Sequence, residues 1–216
     1  MASRIMHYTV GHIIAERLNI QEKNKFILGN LEPDLSHQED GSYLIAHFIR
    51  KNNELMTKGI DWSEFAEQYK ESILEDIEVL GYFVHLITDA CWIKNIRDTH
   101  IRKYSVEKRK ELTTKGYREM YKYNGVFIHE YQLKNIIHEI NKIKVVEANI
   151  KYKGLLINGL ITDFTQTQIP NEAFEVYPYK DIMAFIQLSV QKSISEINAL
   201  RMNEPLSNPE EFYVSQ

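Results

Sequence analysis

The chain has 216 residues and a formal net charge of −4, with 44% hydrophobic and 26% charged residues. The negative charge argues against a protein that mainly coats nucleic acid, although it is compatible with a local basic patch. A single cysteine, Cys91, leaves no intramolecular disulfide to form and favours a reducing compartment. The N-terminus lacks the apolar run of a secretory signal, and the most apolar run, 79–87, is shorter than the roughly 20 residues that span a bilayer. We therefore predict a cytoplasmic protein without a transmembrane segment.

The spacing of apolar residues predicts a succession of helices. The first spans residues 7–18, a brief helix at 43–50 holds His47, and a third is capped by Asp61 or Ser63. The longest pattern runs from Ile73 to Ile96 and is apolar nearly all round between residues 79 and 92, as is typical of a central helix. Further amphipathic helices are predicted at about 115–142 and 179–200.

These patterns predict an all-α, single-domain helical bundle over residues 1–204. One hydrophobic core is enough at this length, although a small second lobe stays open. Residues 205–216 are polar, and we predict a C-terminal tail that frays.

Ionisable residues in apolar surroundings indicate where the chemistry lies. His85 and Asp89 are four residues apart on the most apolar helix, so both side chains project from one face. An unbalanced buried carboxylate is strongly unfavourable, and a divalent cation offsets that cost. The alternative for an isolated pair is an internal His–Asp hydrogen bond, or the pairing of Asp89 with a distant lysine or arginine.

Three further residues supply ligands of the same kind. Asp34 follows Pro33 in a turn that fixes its direction, His47 lies in a short apolar element, and His7 opens the first helix. Each also has a purely structural interpretation. Asp34 would be a helix cap, His47 a core histidine and His7 a polar helix end. Together with the central pair they supply three imidazoles and two carboxylates, which are ligand types that zinc prefers.

Four segments, in this order, resemble the bacterial zinc-dependent phospholipase C family, which is related to the single-strand-specific zinc nucleases. They are residues 6–11 (MHYTVG), 28–34 (LGNLEPD), 46–48 (AHF) and 80–89 (LGYFVHLITD). The resemblance covers about the first 100 residues and implies an all-helical fold with a buried cluster of zinc ions. It also implies one metal held by Asp34, His47, His85 and Asp89, and a second held by Asp89 and His7.

The chain departs from the family pattern in two respects. Secreted members use the processed N-terminal residue as a ligand, whereas several residues precede His7 here. The family's third metal uses a histidine six residues past the bridging aspartate and a later HxxxE pair, but Asn95 stands at that position and no HxxxE follows. We therefore predict one or two zinc ions, or another divalent metal. His100, His129 and Glu130 have the right chemistry at other spacings, and their roles stay open.

The resemblance implies a metal-dependent hydrolase of phosphoric esters, in which a metal-activated water attacks phosphorus. Asp89 would position the metals and Asp34 would act as ligand or general base, so both are candidate catalytic residues. The expected partner is a small phosphate ester, for which a phospholipid head group is one candidate; nucleic acid is less favoured and the oligomeric state stays open. The alternatives are an intracellular phosphohydrolase or nuclease acting on nucleotides, and a catalytically degenerate metal-binding module.

Some other residues receive simpler interpretations. Tyr117, Tyr121, Tyr123 and Tyr131 fall in one region and either line a substrate cleft or pack in the core. Cys91, on the apolar helix, is predicted to be inert packing rather than a nucleophile.

Overall fold

Helices make up most of the chain, as the apolar spacing predicts. The computed structural model describes residues 1–136, 138, 153–165 and 173–216. Its helices are α1 (Arg4–Arg17), α2 (Lys23–Gly29), α3 (Ser42–Ala46), α4 (Trp62–Glu75), α5 (Ile77–Cys91), α6 (Val106–Glu130), α7 (Lys153–Thr165) and α8 (Tyr179–Met202). The predicted all-α class is confirmed, whereas residues 137 and 139–142 of one predicted helix lie outside the described residues. None of the described helices is long and apolar enough to cross a membrane.

Helix α5 lies at the centre of the bundle and packs against α2, α4 and α8. Every residue from Glu78 to Cys91 is buried, which confirms the prediction of a central helix. The predicted span from Ile73 to Ile96 is nevertheless divided, because Asp76 leaves the helical conformation and its carboxylate accepts the N–H of Glu78. An aspartate in this position satisfies a backbone donor that a helix start leaves unpaired. Beyond α5 the chain continues as a π-helix, Trp92–Arg102.

Two glycines bring the backbones of α2 and α5 into direct contact. A methyl group on Gly29 would lie 1.8 Å from the carbonyl oxygen of Glu78, and one on Gly81 would lie 2.1 Å from that of Phe26. No larger side chain fits either position without moving a helix. The contact fixes Asn30 and the 3₁₀ turn Glu32–Leu35 beside α5.

A small antiparallel sheet, which the sequence patterns do not predict, covers one side of the bundle. Its strands are β1 (Ile49–Asn52), β2 (Thr57–Ile60) and β3 (Val214–Ser215), in the order β1-β2-β3. The predicted helix over residues 43–50 is wrong beyond Ala46, because Phe48 has a φ of 47° and turns the chain into β1.

The C-terminal residues also differ from the prediction of a fraying tail. Tyr213 and Val214 are buried, and Val214 pairs with Lys58 of β2. The prediction that this segment frays is therefore wrong. Although the segment is mostly polar, Tyr213 and Val214 are buried, and its last residues add the third strand to the sheet.

Candidate metal centre

Five side chains from four parts of the chain meet beside α5. They are His7 of α1, Asp34 of the 3₁₀ turn, His47 at the end of α3, and His85 and Asp89 of α5. All are fully buried except Asp34, whose side chain retains 20% exposure. Two overlapping groups, His7–His85–Asp89 and Asp34–His47–His85, each have candidate ligand atoms within 4.8 Å of one another. The five residues singled out in the sequence are thus brought together.

Asp89 lies between the two groups. Its Oδ1 is 3.2 Å from Nε2 of His7 and accepts a hydrogen bond from the N–H of Ala2 at 3.0 Å. Its Oδ2 is 3.3 Å from Nε2 of His85 and 3.7 Å from Nε2 of His47. One carboxylate is therefore in reach of all three imidazoles.

Backbone carbonyls orient two of the imidazoles. Nδ1 of His85 lies 2.9 Å from the carbonyl oxygen of Asn30, and Nδ1 of His47 lies 3.0 Å from that of Tyr43. A carbonyl oxygen only accepts, so each Nδ1 carries the proton and each neutral ring presents a lone pair at Nε2. The two Nε2 atoms are 3.3 Å apart. Metal-binding histidines are commonly oriented in this way, with the second nitrogen bound to a carbonyl or carboxylate.

Unpaired polar atoms show that the cluster fits a cation. Both ring nitrogens of His7 and Oδ2 of Asp89 are buried and have no hydrogen-bond partner among the described residues. Leaving such atoms unpaired costs about 1–3 kcal/mol for each group. Imidazole nitrogens and carboxylate oxygens are the donors that zinc takes, so these residues fit the metal by chemistry as well as by proximity.

The protonation states suit metal binding. Burial and the neighbouring His85 lower the pKa of His7, and the same two causes lower that of His47 to about 4. Burial alone would raise the pKa of Asp89, but the imidazoles of His7 and His85 outweigh it and hold this pKa well below its usual range. At neutral pH the cluster therefore offers neutral imidazoles from His7 and His47 and an ionised carboxylate, the forms that coordinate a metal.

The pKa of His85 moves in the opposite direction. Burial lowers it, but the Asp89 carboxylate, whose Oδ2 lies 3.3 Å from Nε2, outweighs burial and raises the pKa. A proton and a cation therefore compete for the Nε2 atom of this ring.

Asn30 supports the cluster through two hydrogen bonds. From the sequence this residue is predicted only to form part of a turn, so its role at the site was missed. Its Nδ2 donates to the carbonyl oxygen of His7 at 2.7 Å, while its own carbonyl orients His85. The residue therefore joins α1 to α5 through two hydrogen bonds. The absence of a side chain at Gly11 makes room, since a methyl group there would lie 2.8 Å from Nδ2 of Asn30.

A cleft of about 350 Å³ opens at Asp34. Arg97 contributes a cation to its wall, and the aromatic residues along it are Tyr43, Trp92, Tyr117, Tyr121 and Tyr177. Two of the four tyrosines noted in the sequence therefore line the cleft. The other two pack: the buried Tyr123 donates its O–H to the carbonyl of Tyr177, and Tyr131 packs against Phe127.

A second polar network, missed in the sequence, borders the same cleft. Asp163 is buried and accepts hydrogen bonds from Nε of Arg4 and Nδ2 of Asn124, both at 2.9 Å. Ser3 donates to Oδ1 of Asn124 at 3.2 Å. These contacts hold residues 2–4 beside Asp89. The sequence did carry one signal for this network. Asp163 lies in the apolar sequence of α7, just as Asp89 lies in the apolar sequence of α5.

The three residues whose roles were open do not join the cluster. His100 lies 3.2 Å from Asp181, the exposed His129 is at the end of α6, and Glu130 accepts a hydrogen bond from Tyr179. Asn95, where the family pattern has a histidine, donates to the carbonyl of Cys91. Cys91 itself is buried, and burial raises the pKa of its thiol to about 12, which agrees with inert packing.

Fold and site together define a helical protein with a buried histidine–aspartate cluster that can bind metal ions. The family model for zinc-dependent phospholipase C matches residues 6–172, which is well over half of the chain. The chain belongs to this family, and the predicted family, its zinc dependence and its helical fold are confirmed. At the level of the family it is a metal-dependent hydrolase. No curated protein and no solved structure was found to match the chain.

Proposed function

We propose that the protein is a zinc-dependent phosphodiesterase that hydrolyses phospholipid head-group esters, with His7, Asp34, His47, His85 and Asp89 as the metal ligands. The observation that carries the proposal is the 3.3 Å separation of the Nε2 atoms of His47 and His85, both facing Asp89. With both Nδ1 protons engaged by carbonyls, the two Nε2 lone pairs repel each other unless a proton or a metal ion lies between them. The family membership supplies the reaction class.

The ligands divide between the two groups described above. Asp34, His47 and His85 would hold one ion, and His7 and Asp89 would hold a second. The Asp89 carboxylate lies within 3.7 Å of all three imidazoles and is thus in reach of either position. Asn30 and Tyr43 act through their carbonyls, which hold His85 and His47 in the ligand tautomer.

The cleft residues supply the remaining chemistry. When bound, zinc supplies a Lewis acid that activates water and balances charge on the phosphoryl group. Of the two carboxylates in the cluster, Asp34 is the one that lines the cleft, and its oxygen that does not hold an ion would accept the proton of the attacking water. Arg97, exposed at the cleft wall, attracts the negative phosphodiester and stabilises the charge that grows on its oxygens.

Tyr43 shields the cluster from solvent. Its ring stacks on that of His47, with centroids 4.2 Å apart, and its side chain lines the cleft. Burial raises the pKa of its hydroxyl, so the residue stays neutral throughout the working range. It can thus donate a hydrogen bond to a phosphoryl oxygen in the cleft.

The experiment compares the hydrolysis of phosphatidylcholine, bis(p-nitrophenyl) phosphate and single-stranded DNA by the zinc-loaded protein. We expect turnover of the first two substrates and its loss in Asp89→Asn, which keeps the side-chain shape but not the charge. Turnover of DNA without phospholipid would replace the proposal with a nuclease. Full zinc occupancy without turnover of any ester would show a metal-binding module and overturn it.

A further inference from the structure

The cleft that opens at the metal cluster has an aromatic wall built by α6 and the π-helix. Tyr117 and Tyr121 are four residues apart on α6, so they project from one face of this helix, and both line the cleft. They are 56% and 47% exposed, which leaves their rings and hydroxyls open to a ligand. Tyr177 continues the wall, because a methyl group on Gly116 would lie 2.7 Å from its hydroxyl oxygen. Its ring packs against Trp92, with centroids 5.2 Å apart.

A guanidinium lies among these aromatic residues. Arg97 is five residues from Trp92 on the π-helix, whose hydrogen bonds span five residues, so both side chains line the same cleft. Burial raises the pKa of Tyr177 to about 12 and that of Tyr43 as well, and the charge of Arg97 acts on both hydroxyls in the opposite direction. Arg97 is exposed and forms no ion pair with any residue that the structure describes. The cleft therefore contains a cation without a protein counter-ion.

The carboxylates of the cleft lining are already engaged. Among the described residues that line it, the acidic ones are Asp34 and Asp163. Asp34 belongs to the metal cluster. Asp163 accepts a hydrogen bond on each oxygen, on Oδ2 from Nε of Arg4 and on Oδ1 from Nδ2 of Asn124. Neither carboxylate is left to pair with a cationic group on a ligand.

Acidic residues beside the cleft do not alter this balance. The carboxylate of Asp40 accepts hydrogen bonds from the N–H and the hydroxyl of Ser42, and Asp98 lies 3.4 Å from Arg102. The side chain of Glu39 is 84% exposed, so solvent and salt screen its charge. A ligand in the cleft therefore meets the guanidinium of Arg97 without a carboxylate to offset it.

The other polar groups available in the lining are neutral. They are the hydroxyls and the amide of Tyr43, Thr113, Tyr117, Tyr121 and Gln38. A hydroxyl both donates and accepts hydrogen bonds, whereas a guanidinium only donates. A polyol matches both, because its oxygens accept from Arg97 and its protons reach the tyrosine hydroxyls. An aromatic wall by itself suits a quaternary ammonium, but here the charge of Arg97 repels a second cation.

We propose that the cleft selects phosphodiesters whose head-group alcohol is an uncharged polyol, such as glycerol, over those whose head group is an amino alcohol, such as choline. Arg97, Tyr117 and Tyr121 determine this specificity. The inference rests on the proposed function, since it names the substrate class of the same site. At an effective dielectric constant of about 20, two cations about 12 Å apart repel by the equivalent of about tenfold in a binding constant. Phosphatidylcholine is then a substrate, but the poorer one.

The first experiment compares kcat/KM for dihexanoyl-phosphatidylglycerol and dihexanoyl-phosphatidylcholine, both dissolved as monomers, with the zinc-loaded protein. We expect about a tenfold preference for the glycerol ester. Arg97→Gln should slow both reactions and bring the two values together, and Arg97→Glu should invert the preference, because a carboxylate attracts choline. Tyr117→Phe/Tyr121→Phe should lower the value for the glycerol ester alone, by about fivefold for each hydrogen bond lost.

The matched controls are Arg118→Gln and Tyr104→Phe. Both residues are exposed, and neither is among the described residues that line the cleft. Both variants should keep the wild-type kcat/KM for each lipid. An equal loss of preference in these controls, or an unchanged preference in Arg97→Glu, would overturn the assignment.

The second experiment measures the binding of three phosphate monoesters to the zinc-loaded protein by calorimetry. Glycerol phosphate and propyl phosphate have the same charge and differ in their hydroxyls, whereas phosphocholine adds a cation. We expect glycerol phosphate to bind most tightly, then propyl phosphate, then phosphocholine. Equal affinities for the first two would exclude recognition of the polyol, and equal affinities for the last two would exclude repulsion by Arg97. Either result overturns the proposal.

The two proposals about this cleft fail in different ways. Hydrolysis of both lipids at equal kcat/KM, or a preference for the choline ester, would overturn the selectivity and leave the proposed function intact. Calorimetry needs no catalysis. The expected order of affinities without hydrolysis of any ester would therefore contradict the proposed function while the selectivity of the cleft stays supported.

Discussion

The rings of His7 and His85 are stacked in the protein interior, with centroids 3.8 Å apart and planes 7° from parallel. Two fully buried imidazoles at this distance repel each other strongly if both are protonated. The stack also brings a residue of α1 and a residue of α5 together at Asp89. Oδ1 of Asp89 lies 3.2 Å from Nε2 of His7, and Oδ2 lies 3.3 Å from Nε2 of His85. The stack therefore excludes two protonated rings, and a metal ion beside Asp89 would take the place of the one proton that the raised pKa of His85 favours.

Replacing Asp89 with asparagine should abolish tight zinc binding. The carboxylate lies within reach of three imidazoles, and an amide of the same shape supplies neither its charge nor its second acceptor oxygen. Elemental analysis of protein purified without chelator measures the zinc content. The matched control is His100→Ala, which removes an imidazole that lies 3.2 Å from Asp181 and outside the cluster, and should keep full occupancy. Full zinc content in Asp89→Asn would contradict the assignment.

The five cluster residues could be predicted because their signals are local. The spacing of His85 and Asp89 places both on one face of an apolar helix, and Pro33 fixes the turn before Asp34. The supporting contacts join distant parts of the chain and leave no local signal. Arg4 contacts Asp163 across a sequence separation of 159 residues, for example.

The difference between local signals and long-range contacts also explains the errors in the predicted fold. The central helix follows from apolar periodicity, but strand β3 is stabilised by pairing with β2, far away in the sequence. The positive φ of Phe48, which ends the predicted helix at 43–50, is a conformation that a phenylalanine does not itself favour. Tertiary contacts impose it, so periodicity alone cannot reveal it.

Removing zinc should lower the melting temperature. A ligand present at 100 times its Kd stabilises the native state by about 2.7 kcal/mol. In a chain of this size that corresponds to about 5–10 °C. The measurement is a thermal melt with and without chelator, and His85→Ala is the control, since its melting temperature should not respond to chelator. A wild-type melt unaffected by chelation would show that no such centre contributes to stability.

Gly29→Ala should destabilise the fold and weaken zinc binding together. The added methyl group would lie 1.8 Å from the carbonyl oxygen of Glu78, so α2 must move away from α5. Overpacking of this kind costs about 1–3 kcal/mol or more. The movement also displaces Asn30, whose carbonyl orients His85. Urea denaturation and zinc titration measure the two effects.

The matched control for this variant is Gly154→Ala. Gly154 is exposed on α7, and a methyl group there would have no neighbour within 4 Å. Alanine should stabilise this helix by up to about 1 kcal/mol. Equal stabilities for Gly29→Ala and the wild type would contradict the close contact between α2 and α5.

Glu119→Gln should loosen one wall of the cleft. The buried Glu119 carboxylate accepts hydrogen bonds from the backbone N–H groups of Glu175, Val176 and Tyr177, at 2.6 to 3.1 Å. An amide of the same size turns one acceptor oxygen into an NH₂ group that faces a backbone donor. The loss should be about 2 kcal/mol, as for a buried group left unpaired. Because Tyr177 lines the cleft, KM should rise more than kcat falls.

Thermal melts and steady-state kinetics with bis(p-nitrophenyl) phosphate distinguish an effect of Glu119 on the substrate cleft from an effect on stability alone. Glu111→Gln on the same helix removes an exposed carboxylate that contacts Lys108 and Lys115, and such surface ion pairs contribute little. Its melting temperature and KM should therefore match the wild type. If Glu119→Gln lowered the melting temperature but left KM unchanged, the loop from Glu175 to Tyr177 would contribute to stability without shaping the substrate cleft.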